Sequence, residues 1–192
     1  MKVTKKSFLI PSVNSTCITN LIATLYKYVG SDIIFSSHLF GDNTWFPAIP
    51  IGRLTAISNT EVNDYLAKVQ HHESQPDEDW RKQIFHLVGG KEDEHQNFKS
   101  TMLSIGDIAK RPLFGGEVLS HYKNEFNPDI KIDEVVNDGV RLLTFFGHSS
   151  SNISDIDIGR VSDISKGYNN FERYPVMLLN GCRTGDFYKN DT

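Results

Sequence analysis

Apolar positions fall into two kinds of run along this chain. Near-continuous runs of five or so residues, stopped by glycine, read as buried strands. Runs with an apolar residue every third or fourth position read as helices. Leu21, Ile22, Leu25 and Tyr26 have the helical spacing, and Ile33-Ile34-Phe35 breaks it with a strand-like run. Ala48-Ile49-Pro50-Ile51, closed by Gly52-Arg53, predicts an edge or irregular strand, because Pro50 has no N–H to give to a ladder. Asn59-Thr60-Glu61 opens a helix that Val62, Tyr65, Leu66 and Val69 carry to about His71. A polar stretch over 73–79 with Pro76 reads as a loop. Gln83 to Val88 is a buried-type strand stopped by Gly89-Gly90, and Phe98, Met102, Leu103, Ile105 and Ile108 place a helix over 92–110, ended by Arg111-Pro112. Glu117 to Tyr122 is a further strand, and Asp133 to Val136 a short helical turn. Val140 to Phe146 then runs into Gly147-His148, and Val176 to Asn180, after Pro175, runs into Gly181-Cys182.

Strands that alternate with helical stretches, and that are apolar nearly throughout, predict an α/β domain with a mainly parallel sheet. The 28 positions from Gly147 to Pro175 suffice for the crossover between parallel neighbours. No repeat or low-complexity tract interrupts the 192 residues, and the length fits one domain, 1–192, with a real core. Twenty Lys and Arg against 24 Asp and Glu give a net charge of −4. With no basic run, nothing marks a nucleic-acid partner. No stretch reaches the roughly 18 apolar residues of a membrane span. Cys17 and Cys182 are too few for a disulfide scaffold, and whether they pair is open. The apolar run Phe8-Leu9-Ile10, broken by Pro11, is too short for a signal-peptide core.

In open parallel sheets the reactive crevice lies at the carboxyl ends of the strands. The two strongest strands each end in a glycine followed by a reactive side chain, His148 and Cys182. A thiol with an imidazole beside it is a sufficient nucleophilic device: the imidazole raises the thiolate fraction or protonates the leaving amine. Glycine before each residue lets the backbone turn sharply, and the N–H groups of Ser149 and Cys182 are candidate oxyanion donors. The bland alternatives are a buried cysteine and a histidine that merely closes a strand. Pairing at two successive strand ends favours chemistry over both. His71-His72, His86 and His95 lack the convergent spacing of a zinc site, so no metal is expected. Trp45 and Trp80 read as packing, Arg53 as an ion-pair residue, and Cys17 as structural.

The string Phe146-Gly147-His148-Ser149-Ser150, with Tyr174-Pro175-Val176-Met177-Leu178-Leu179-Asn180-Gly181-Cys182-Arg183-Thr184-Gly185-Asp186-Phe187, resembles the gingipain-type cysteine peptidases of family C25. The 34 positions between His148 and Cys182 suit that pattern. Ile49-Pro50-Ile51-Gly52-Arg53-Leu54 is similar to the family's Ile-Gly-Arg strand, and Trp80-Arg81-Lys82-Gln83 to Gly89-Gly90 to its next one. The resemblance runs from about Ile10 to Phe187.

It implies a caspase-like three-layer α/β sandwich, with strands of the family absent at both ends. It also implies a cysteine endopeptidase acting on polypeptides without a cofactor, through Cys182 and His148, outside the cell or at its surface. A sorting-type transpeptidase on the same acyl-enzyme and an inactive caspase-like scaffold are the alternatives. Ser149 stands where gingipains proper have glycine. The family's acidic residue near the histidine is not carried over, since none of Glu92, Asp93 and Glu94 aligns with it. Asp155 and Asp157 lie where such a fold places pocket-forming loops, and are the candidates for recognising a basic substrate side chain. The resemblance leaves oligomeric state open.

Overall fold

The computed structural model describes residues 48–50, 52–123, 129–150 and 153–184. The chain divides into two compact units, Met1–Thr55 with Asp186–Thr192, and Ala56–Gly185. In the first unit the described residues include 48–50, where a strand was expected. They form a bend and no ladder, as Pro50, without an N–H, permits. The helix and strand expected before Asp42, and Cys17, lie outside the described residues.

The second unit holds the regular structure. Helix α1 is Asn59–Ser74, strand β1 Gln83–Val88, helix α2 His95–Ala109, strand β2 Glu117–Tyr122, helix α3 Asp133–Asp138, strand β3 Leu142–Phe146 and strand β4 Val176–Asn180. Ser58 starts α1: its Oγ accepts from the Glu61 N–H while Glu61 Oε2 accepts from the Ile57 N–H at 2.9 Å. This reciprocal cap needs a serine and a glutamate three residues apart. Gln75 leaves the helical conformation ahead of Pro76.

The four strands form one parallel sheet in the order β2-β1-β3-β4. Side chains alternate across it. Phe85 and Leu87 of β1 and Leu143 and Phe145 of β3 point to one face, where they pack with Val136 of α3, Ile132 just before that helix, Val140 and Ile156. On the other face α2 lies over β1 and β2. Gly106 of α2 makes that approach, since a Cβ there would come 3.2 Å from Val118. The result is a helix–sheet–helix layering consistent with a caspase-like sandwich. Fully burying a leucine such as Leu87 or Leu143 stabilises by about 1.5–3 kcal/mol, so the two central strands supply most of what holds the sheet.

Two features depart from that apolar plan. His86, only 1% exposed, sits in mid-strand under α2 with its Nδ1 2.6 Å from Thr144 Oγ1 on β3. β4 is exposed along its whole length.

Candidate active site

Because all four strands run the same way, Gly89, Lys123, Gly147 and Gly181 leave the sheet at one end. The ladder continues a step past the strands there: Gly89 N–H donates to Phe146 O at 2.8 Å, Lys123 N–H to Val88 O at 2.8 Å, and Gly147 N–H to Asn180 O at 3.2 Å. Phe146 and Asn180 are the last partners of β3 and β4, so His148 and Cys182 each lie two residues beyond a matched pair. Neighbouring strands are about 4.8 Å apart. The register therefore delivers the two residues to adjacent turns.

Cys182 is a free, exposed cysteine. Its turn is gripped from β3: Ser149 Oγ donates to the Cys182 carbonyl at 2.7 Å. That grip explains the glycine before the cysteine, since a Cβ on Gly181 would sit 2.3 Å from the same Oγ. Ser149 was expected to matter through its backbone N–H. Its hydroxyl also ties the two turns together.

His148 has a partner that the alignment of residues did not reveal. Its Nε2 lies 2.6 Å from Glu94 Oε2, each side chain being 40% exposed. A carboxylate only accepts, so Nε2 carries the hydrogen and Nδ1 keeps the free lone pair. The hydrogen bond to His148 is the main cause that lowers the Glu94 pKa below its ordinary value of 4.5. Glu94 is set at the start of α2, where its own N–H donates to Lys91 O, and Phe98, one turn on, lays its ring 5.8 Å from His148 and 4.4 Å from Phe146. The imidazole is thus held by a carboxylate on its edge and an aromatic ring at its side.

Asp155 and Asp157 part company. Asp157 is exposed, with Oδ1 accepting from the Gly159 N–H at 2.8 Å and its backbone bridged to Asp129. The Asp155 side chain is only 10% exposed and faces inward: Oδ2 accepts from the N–H groups of Gly90 (2.8 Å) and His148 (2.7 Å), and Oδ1 from Lys123 Nζ (2.6 Å). Burial pushes its pKa up, but Lys123 and the two N–H groups outweigh that and hold it below the usual carboxylate value.

His71, His72 and His95 are engaged separately. His71 Nε2 meets Gln75 at 2.6 Å and Glu172 at 3.5 Å, and His95 Nδ1 meets Gly89 O at 3.2 Å. His72 stands beside Arg141 and Arg81, and burial together with those two guanidiniums lowers its pKa. Among the described residues no group of three or more His, Cys, Asp or Glu is arranged to hold a metal, and no helix is long and apolar enough to cross a membrane.

The expected pair therefore sits on adjacent turns, and sequence reasoning missed the carboxylate beside the imidazole. A pocket of about 430 Å³ lined by Gly90, Lys91, Glu92, His95, Gln96 and Lys123 opens at the same end of the sheet. Comparison with known proteins gave one match: the family model described as peptidase family C25 fits residues 3–192. No curated protein and no solved structure matches.

Proposed function

The chain belongs to peptidase family C25, the cysteine peptidases that its His and Cys strings resemble, and from that premise we propose that it is an endopeptidase acting through Cys182 and His148. The carrying observation is the parallel register of β3 and β4, which ends on Phe146 and Asn180 and puts both residues two steps further on. Cys182 Sγ attacks the carbonyl carbon of the cleaved bond. His148 Nδ1 takes the thiol proton and returns it to the departing amine as the C–N bond breaks. Water then hydrolyses the thioester, with the same nitrogen as base. Glu94 fixes the imidazole tautomer and stabilises the cation formed in each half-reaction, the role a carboxylate plays behind any catalytic imidazole. Backbone N–H groups of Ser149 and Cys182 are the donors assigned to the oxyanion, and Asp157 is the residue left to favour a basic substrate side chain. The family resemblance favours a site of action outside the cell or on its surface.

The test is labelling of the full chain with a peptidyl acyloxymethyl ketone, which alkylates an activated thiol. Wild type is expected to be labelled and Cys182→Ala not. Equal labelling of the two would remove the assignment.

A further inference from the structure

We propose that Asp155 is a positioning residue of this centre: its carboxylate joins the outgoing turns of β1, β2 and β3 and so sets where the His148 imidazole stands relative to Glu94 and Cys182. The inference rests on the peptidase reading above for its consequence in catalysis, but its geometry stands apart from it.

Three donors reach this one carboxylate, and they come from three strands. Gly90 follows β1, Lys123 follows β2 and His148 follows β3. The His148 backbone is held on both sides, since its N–H donates to Asp155 Oδ2 while its carbonyl accepts from the Asp155 N–H at 2.8 Å. The neighbouring residues are shaped around the group. A Cβ on Gly89 would come 2.6 Å from Asp155 Oδ2, and one on Gly147 3.1 Å from it. Both glycines therefore make room for a carboxylate, independently of any turn they form. The turn that Gly90 begins leads within four residues to Glu94. Fixing Gly90 and His148 to one oxygen consequently fixes the two ends of the Glu94–His148 contact. The fourth turn, that of Cys182, is tied to the third by the Ser149 hydroxyl. Thus one carboxylate and one hydroxyl register all four strand ends. A displacement of about 1 Å in a catalytic group costs on the order of 100-fold in rate, so loss of this junction is expected to act on chemistry more than on binding.

The experiment compares four full-length proteins: wild type, Asp155→Ala, Glu94→Gln, and Asp155→Asn combined with Lys123→Met. In the last, the amide oxygen still accepts from Gly90 and His148, and the methionine takes the ammonium away from the new NH₂. Each protein is treated with the acyloxymethyl ketone, and the ¹⁵N signals of the His148 ring are recorded in parallel. In Asp155→Ala the maximal labelling rate is expected to fall about 100-fold, with the half-saturating probe concentration changing little. Its ring nitrogens should take the tautomer-averaged signature expected of Glu94→Gln. The double variant is expected to recover the wild-type signature and most of the rate, and it carries the test alone if Asp155→Ala does not fold. A wild-type ring signature in Asp155→Ala, or a double variant whose ring signature differs from wild type, overturns the proposal. If wild type itself is not labelled, the peptidase reading falls, and the ring signals still decide whether Asp155 positions His148.

Discussion

At the scale of single residues, the site is a matter of which atom each polar group faces. Glu94 and His148 are partly exposed, so their contact is screened and adds little to stability. Its value is orientation. Replacing Glu94 by Gln keeps the shape but lets the imidazole exchange tautomers, and the probe-labelling rate is expected to drop roughly 10- to 100-fold, as when the outer partner of a metal-bound histidine is lost. An unchanged rate constant over the whole pH range would show that the carboxylate is a bystander. Because its pKa is lowered, Glu94 supports the folded state above the ordinary carboxylate pKa, and that support is lost as pH falls through the depressed one.

His86 gives the same sign of pH dependence by a different route. Burial, with Lys110 adding, lowers its pKa below the ordinary 6.5. The unfolded chain therefore binds the proton first. Stability is unaffected above about pH 6.5 and declines as pH drops from there toward the depressed value. Thr144→Val removes the partner of His86 Nδ1 and should cost about 1–3 kcal/mol in urea unfolding at neutral pH. His86→Leu combined with Thr144→Val should be milder and should flatten the pH slope below 6.5. A double variant with the wild-type slope would assign the acid sensitivity elsewhere.

At the scale of elements, the strands were the most legible part of the sequence. Gln83–Val88, Glu117–Tyr122 and Val176–Asn180 have the ends read from the sequence, the first and last from glycine and proline punctuation. The run from Val140 enters its ladder two residues late, at Leu142. Val140 instead packs with α3 in the core, and Arg141 N–H already bonds to Gln83 O. The helix expected over 92–110 begins at His95, and the three residues before it are what bring Glu94 to the imidazole. Strand order was the illegible quantity. Nothing in a linear pattern says that β1 lies between β2 and β3, yet that order alone sets the Gly89-Gly90 turn beside Gly147-His148. Glu94 and the inward role of Asp155 were hidden for this reason, whereas His148 and Cys182 were visible because they follow glycines at the ends of strands.

For the molecule as a whole, the sheet is stabilised unevenly. β1 and β3 are buried, while Val176, Met177, Leu178 and Leu179 of β4 are 43–62% exposed and alternate between its two faces. An apolar strand in that state is a template for pairing with other chains. Concentrated protein is expected to self-associate. Leu178→Lys should shift its light-scattering mass toward the monomer while changing the unfolding free energy by no more than about 0.5 kcal/mol. Self-association unaffected by the lysine would place the contact on another surface.

The topology also dictates a sequence of events during synthesis. β1 waits for a partner 58 residues downstream, Ile84 meeting Leu142, and among the described residues β4 pairs with β3 alone. Closing such long loops is slow, and of the four described strands the one that leads to Cys182 is the last to be made. A nascent or partly unravelled copy therefore carries an ordinary thiol with no imidazole at hand. On the reading proposed above, the enzyme comes alive only when β4 docks on β3, so proteolytic power waits on that one pairing.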